Sequence, residues 1–348
     1  MVRGRASDSL LTRKPPHRLE PVGGDGSKDL WKGASMAIVD DQSENALELV
    51  SFADPLDVYG GNAYLPWEFI HFNLPYRRPS ELVWTRQNSN LTFEVVAGRV
   101  RQPNGEIDRF VPYGKHARAA LLWMCTEAKK TNDPHLELGS SYSEFLRKLG
   151  MTTSGGQSRS GHSGSVMKST LSQLRALFAA TISVSSDTED PDGRLHMQDL
   201  GYRITSSSEL WFSHRDASEV DSLLPSTVTL SSDLFASILE HGMPVNLDGW
   251  RAIQSASKSP LALDVYVWLC ARLHNLKGVG RPTWEQLQAQ FGSQTTRKEF
   301  VRLFKGALDI ALQQYPQARV AERVDSRGRS LGLELRPSPP AVSPRDSR

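Results

Sequence analysis

Ser141-Tyr-Ser-Glu-Phe-Leu-Arg-Lys-Leu-Gly150 and Thr283-Trp-Glu-Gln-Leu-Gln-Ala-Gln-Phe-Gly292 decide how this chain is read. Each opens on a hydroxyl residue followed three places later by Glu144 or Gln286, the reciprocal capping pattern that starts a helix. Each continues with apolar residues four apart, Phe145 and Leu149 or Leu287 and Phe291, which share one helical face. Each ends on a glycine able to adopt the left-handed stop. An apolar helix carrying Trp-x-Cys precedes both: Trp123 with Cys125, and Trp268 with Cys270. A helix with cations seven residues apart follows both: Lys168 with Arg175, and Lys298 with Lys305. A capped short helix, a tight turn and a basic helix, stated twice, is the layout of a two-headed binder of duplex DNA.

Outward from these stretches the elements fall into two series. In the first, residues 115–131 bring Ala119, Leu122, Trp123 and Thr126 onto one face. The capped helix 141–149, a Gly/Ser loop over 154–164 and a helix from about 165 to 180 follow. Thr181-Ile-Ser-Val-Ser then opens a strand that returns over Leu195–Thr205. In the second series, Val228-Thr-Leu precedes a helix capped by Ser231 or Ser232 and stopped at Gly242. Ser259-Pro260 starts the Trp268 helix with proline at its first position. The Thr283 helix and a long helix from about 296 to 315 lead to strands 318–324 and 331–336. Helix, helix, helix, hairpin is the order of a winged helix. The expected fold is therefore α+β: a mostly disordered arm over 1–50, winged-helix domains over 51–218 and 226–337, and a loose tail over 338–348. Strand-like Leu91–Ala97 and a turn at Pro103-Asn104-Gly105 belong to the first domain.

The chain has 348 residues and 39% hydrophobic content, enough for two cores. Its net charge of +2 does not make it a polycation, so a nucleic-acid reading depends on where the cations sit. Cys125 and Cys270 lie inside apolar runs and read as small buried hydrophobes, without a disulfide framework or zinc cluster. The polar, basic N-terminus has no apolar core of a signal peptide, and no stretch reaches the roughly 18 apolar residues of a membrane span. The expectation is a cytoplasmic protein away from membranes.

On the 296–315 helix, Phe300, Phe304, Ala307, Ala311 and Tyr315 share one side, while Lys298, Arg302, Lys305 and Asp309 share the other. The apolar stripe docks the helix; the basic stripe, with Arg297 at its start, can enter a major groove about 12 Å wide. There Arg302 can pair with guanine bidentately and the lysines with phosphates. Lys168, Ser172 and Arg175 occupy the corresponding side of the 165–180 helix, opposite Met167, Leu171, Leu174 and Phe178. The ordinary solvated face of an amphipathic helix explains either stripe alone; its recurrence after a capped helix favours DNA. In the second hairpin, Arg323, Arg327 and Arg329 can embrace phosphates. The first carries Asp187, Glu189, Asp190 and Asp192, which repel them, so the second domain is the expected main reader. Gly156–Ser163 is a near miss to a phosphate loop: it lacks lysine at 162 and follows a helix. No metal-holding His-x-His pair and no nucleophile elbow is found, so neither enzyme activity nor a cofactor is expected.

Several segments together resemble the plasmid-encoded RepA replication initiator family. They are Pro112-Tyr-Gly, Leu122-Trp123, Thr126-Glu127-Ala128, Leu138-Gly139, Phe145-x-x-x-Leu149-Gly150, Gly155-Gly156 and Gln173-Leu174-x-x-Leu177-Phe178. So do Ser259-Pro-Leu-Ala-Leu-Asp-x-Tyr-x-Trp268-Leu, Trp284-Glu-x-Leu-x-x-Gln290-Phe291-Gly292 and Tyr315-Pro316. The likeness runs from about residue 66 to 340; the 154–164 loop is longer and more Ser-rich, and Ala117 stands where proline is common. The resemblance implies an initiator that binds repeated sites at a plasmid origin, promotes duplex opening and recruits host replication proteins, an initiator and a helicase among them. Related two-winged-helix initiators switch between a dimer that represses its own gene and a monomer that starts replication, which extends the expected partners to a second copy. The rival readings are a transcription regulator of the same fold without a replication role, and a nicking or priming enzyme.

Overall fold

The computed structural model describes residues 61–88, 91–101, 105–139, 142–149, 162–189, 195–210 and 226–342. The expected arm over 1–50, the Ser141 cap, the Gly/Ser loop with its near-miss phosphate motif, and the acids Asp190 and Asp192 lie outside the described residues. The elements in chain order are β1 (Asn62–Pro66), α1 (Glu68–His71), β2 (Val83–Asn88), β3 (Leu91–Val96), β4 (Val100–Arg101), β5 (Ile107–Asp108), α2 (Gly114–Thr131), β6 (His135–Gly139), α3 (Tyr142–Lys148) and α4 (His162–Ala179). There follow β7 (Thr181–Glu189), β8 (Leu195–Arg203), β9 (Thr205–Glu209), β10 (Ser226–Leu230), α5 (Ser232–His241), β11 (Gly242–Asn246), α6 (Leu247–Ala256), α7 (Leu261–Asn275), α8 (Trp284–Phe291), α9 (Arg297–Gln313), β12 (Arg319–Val324) and β13 (Ser330–Arg336). The fold mixes helix and strand, as expected.

Local chemistry sets most helix ends where the spacing puts them. Ser231 caps α5 by accepting from the Leu234 amide. Asn132, at φ 53°, closes α2 in the left-handed region that Asn tolerates. Pro260 differs by one place: it is the N-cap of α7 rather than its first helical residue, and its carbonyl accepts from Asp264 N at 3.2 Å.

The first hairpin is larger than local pattern foretells. β7 and β8 form two strands of an antiparallel sheet ordered β2-β3-β7-β8. In β3, Leu91, Phe93 and Val95 alternate inward and are fully buried, with Phe93 opposite Val184. β10 is the centre of a second sheet, between β6 and β9, so the chain just after residue 226 is woven into the N-terminal unit.

Contacts distant in sequence join the two units. β1 pairs antiparallel with β11, placing Asn62 opposite Asn246. Arg118 of α2 forks onto Asp264 of α7, with Nε and Nη2 each 2.8 Å from a carboxylate oxygen. The remaining Arg118 donors reach the carbonyls of Leu74, Pro75 and Gly114. Arg86 of β2 donates to the carbonyls of Ala289 (2.7 Å) and Gln290 (3.0 Å), and Tyr76 Oη to that of Phe291 (3.2 Å). The Ala289 carbonyl also accepts from the C-cap amide of Gly292 at 3.1 Å, and these last carbonyls of α8 carry its negative dipole end, where a guanidinium is favourable. A side chain at Gly292 (φ 62°) would run into Arg86, so this glycine serves both the left-handed stop and the close approach. One continuous apolar core runs through both units.

Candidate nucleic-acid interface

The C-terminal face is built on α8. Thr283 Oγ1 accepts from Gln286 N (3.2 Å), and Gln286 Oε1 accepts from Thr283 N (2.8 Å), completing the expected capping box. After Gly292, Gln288 Nε2 donates to the Thr295 carbonyl at 2.7 Å and holds the turn. Thr296 then caps α9 by accepting from Glu299 N. The turn is therefore fixed by three local devices before any packing is counted.

Packing sets which side of α9 faces out. Phe300, Phe304, Ala307, Leu308 and Ala311 are buried. Phe304 is the hub, with ring centroids 5.0 Å from Phe291, 5.9 Å from Trp284, 6.3 Å from Trp268 and 5.4 Å from Phe300. Arg297, Lys298 and Arg302 are consequently exposed, and Lys305 is half-buried beside them.

These cations are dressed with carboxylates. Arg297 lies 3.2 Å from Glu285. Arg302 forks onto Glu299 (2.9 and 2.6 Å), and Lys305 bonds Glu322 of β12 at 2.6 Å, 5.7 Å from the centroid of the Trp284 ring. The charge-assisted bond from Arg302 holds the Glu299 carboxyl below its ordinary range, and that from Lys305 does the same for Glu322. Such exposed pairs are worth little in water and cost little to exchange for a phosphate. Lys298 makes no ion pair among the described residues.

β12 and β13 form the hairpin, with Ala321 opposite Glu334. Bridges Gly280–Leu335 and Thr283–Gly332 and the bond from Trp284 Nε1 to Ser330 Oγ (2.7 Å) fasten it to the start of α8. Gly332, at φ 155°, lies so close to the Pro282 carbonyl that a Cβ would collide with it. At the tip Asp325 accepts from Arg327 N (2.9 Å), Arg329 N (2.8 Å) and Arg329 Nε (2.7 Å), which holds its carboxyl low. Arg327 and Arg329 are exposed, and Arg323 is half-buried.

The N-terminal counterpart is more enclosed. Lys168 falls within α4, but its side chain lies outside the described residues; Ser172 and Arg175 are half-buried. Arg175 donates to the Arg101 carbonyl in β4, so it is already engaged by the protein. Leu174 and Phe178 pack inward as their spacing requires. Asp187 is exposed near the hairpin tip. The duplication is not in register. Trp123 packs edge-on against Phe145 at the start of α3, whereas Trp268 packs edge-on against Phe291 at the end of α8.

Local spacing did not reveal the bonds that orient this face against the other unit: Arg86 and Tyr76 reach α8 from that unit, and Gln290 Nε2 of α8 donates to the His71 carbonyl. Only the Glu299–Arg302 pair, three apart on one helix, carried a sequence signal. Among the described residues no group of His, Cys, Asp and Glu could hold a metal ion, and no helix is long and apolar enough to cross a membrane.

No curated protein matches this chain. It is similar to a crystal structure of selenomethionine derivatives of domains 2 and 3 of RctB, at 9% identity and a TM-score of 0.48, covering 77% of this chain and 96% of that one. A second crystal structure of RctB domains 2–3 is similar at 10% identity and a TM-score of 0.45, covering 78% and 96%. The family described as plasmid-encoded RepA protein matches residues 111–286, from just before α2 into α8 and over half of the sequence. The chain therefore belongs to the plasmid-encoded RepA protein family.

Proposed function

We propose that this protein is a non-catalytic plasmid replication initiator built on two tandem winged helices, which binds repeated duplex sites at its origin. Family membership supports the initiator role. The observation that carries the DNA reading is the C-terminal helix–helix–hairpin, which buries one side of α9 and leaves Lys298 and Arg302 exposed and Lys305 half-buried, with Arg323 half-buried on β12 and Arg327 and Arg329 exposed at the hairpin tip. In this proposal α9 enters the major groove and the hairpin straddles the adjacent phosphates. Arg302 exchanges Glu299 for a guanine edge or phosphate, and Lys305 exchanges Glu322. The N-terminal unit adds a weaker second head through α4, and linkage of two heads raises avidity. Opening of the duplex, recruitment of the host initiator and helicase, self-association, autoregulation and control of copy number complete the proposed role, in the cytoplasm on plasmid DNA.

Footprinting on the DNA flanking the gene tests the reading directly. Tandem direct repeats beside an A·T-rich stretch are expected; a single inverted repeat over a promoter would make the protein a regulator instead. On the protected duplex, Arg302→Ala and Lys305→Ala should each weaken binding and reduce the slope of log K against log salt by about one. Unchanged affinity and slope would remove both residues from the interface. Incubation with supercoiled origin plasmid and Mg²⁺ should leave the DNA intact; a nicked or protein-linked product would establish an enzyme.

A further inference from the structure

Gly306 lies in the middle of α9, one turn beyond Arg302, on the outward strip that carries Lys298, Arg302 and Asp309. It is exposed, and its backbone does not have the positive φ that favours glycine. A Cβ built there meets nothing within 4 Å. Packing inside the protein therefore gives no reason for glycine. A glycine in a helix interior is disfavoured against alanine, because it loses more backbone freedom on folding. The contrast with Gly249 in α6 is direct: a Cβ there would strike the Tyr266 hydroxyl, so that helical glycine has an internal cause. Gly61, Gly105 and Gly328 also open onto empty space, but each has the positive φ of a turn, and Gly278, open without one, lies in a loop and not in a helix. Gly306 has neither reason.

The open side of Gly306 faces away from the protein, and Arg302 and Lys305 stand within one turn of it. Bare backbone one turn after Arg302, with Asp309 following three residues later, lets a duplex gripped by Arg302 come close enough to touch the helix itself. Resting on the reading of α9 as the DNA-contacting helix, we infer that duplex DNA makes its closest approach to the protein at Gly306, in van der Waals contact with the backbone. Gly306 is thus a positioning residue: it sets how deeply α9 sits and so which base edges Arg302 can reach. Adding a methyl group lifts the helix and lengthens the flanking contacts together.

The test uses the full chain and the duplex protected in its own footprint. Gly306→Ala, Gly306→Leu and Arg302→Ala are compared by thermal unfolding and by gel shift. Gly306→Ala should raise the unfolding midpoint by about 2–4 °C while binding falls. The expected fall is about tenfold, equivalent to about 1.4 kcal/mol, with a larger loss for Gly306→Leu. Gain of stability with loss of affinity is a pairing that a purely structural glycine cannot produce. Undiminished binding by both glycine variants, while Arg302→Ala binds weakly, overturns the close approach and leaves the DNA reading standing. A fall in stability that parallels the fall in binding also overturns it. Full binding by Arg302→Ala and by the glycine variants overturns the DNA reading itself.

Discussion

Replacing Asp264 with alanine is expected to cost about 3–5 kcal/mol of stability, because it strands the buried guanidinium of Arg118. Only 5% of the arginine and 8% of the aspartate is exposed. Three backbone carbonyls remain as acceptors for Arg118, but they supply dipoles and no compensating charge. The pair spans α2 and α7, so its loss removes a tie between the two units as well as a local contact. The double substitution Arg118→Met with Asp264→Leu provides the decisive comparison. It removes both charges and keeps apolar volume, and it should recover most of the loss. Denaturant unfolding measures both proteins. A midpoint for Asp264→Ala close to that of the unsubstituted chain would show that water, rather than Asp264, neutralises Arg118. A double variant as unstable as the single one would show that the defect is packing and not charge.

That ion pair also marks the boundary of what the sequence could disclose. Helix ends were legible wherever a short-range rule fixes them: Thr283 with Gln286, Ser231 before α5, and Gly292 after α8. The two sides of α9 were legible because periodicity alone sorts Phe300, Phe304 and Ala311 from Lys298 and Arg302. The hairpin at 319–336 was legible from its turn and flanking apolar residues. By contrast, β1 pairs with β11, which follows it in the chain only after strands β2 to β10, and Arg86 reaches a carbonyl 203 residues away. Nothing within a local window encodes such partners. The recruitment of β2 and β3 onto the β7–β8 hairpin was hidden for the same reason. The apparent duplication shows a subtler limit. Similar residues recur in both copies, yet the Trp123–Phe145 and Trp268–Phe291 contacts sit at opposite ends of their short helices. A motif read along the chain fixes which residues are present, whereas packing decides which pairs meet. The candidate cations were legible as a stripe, but their pairing with Glu285 and Glu322 depends on tertiary placement.

Phe304→Ala is expected to be as damaging as the loss of Asp264, about 3–5 kcal/mol, by a wholly apolar route. The ring is fully buried and touches the aromatic groups of α7, α8 and α9 together. Truncation removes its burial energy and leaves a cavity. It also deletes edge-to-face contacts worth about 0.5–1.5 kcal/mol each beyond area. Phe300, Ala307, Leu308 and Ala311 still bury the same side of α9, but the aromatic contacts that Phe304 makes with Trp268, Trp284 and Phe291 are gone. α9 should therefore lose its set orientation before it loses its helical backbone. Far-ultraviolet dichroism of Phe304→Ala at low temperature should stay close to that of the parent, while the near-ultraviolet signal of Trp268 and Trp284 weakens. Phe304→Leu, which refills much of the space, should restore part of the midpoint. If α9 contacts DNA as proposed, affinity should fall with the near-ultraviolet signal, because the hub fixes the direction of its cations. A Phe304→Ala protein within about 1 kcal/mol of the parent would mean that the site had collapsed around the gap. The orientation of α9 would then be held by its other buried residues, Phe300, Ala307, Leu308 and Ala311.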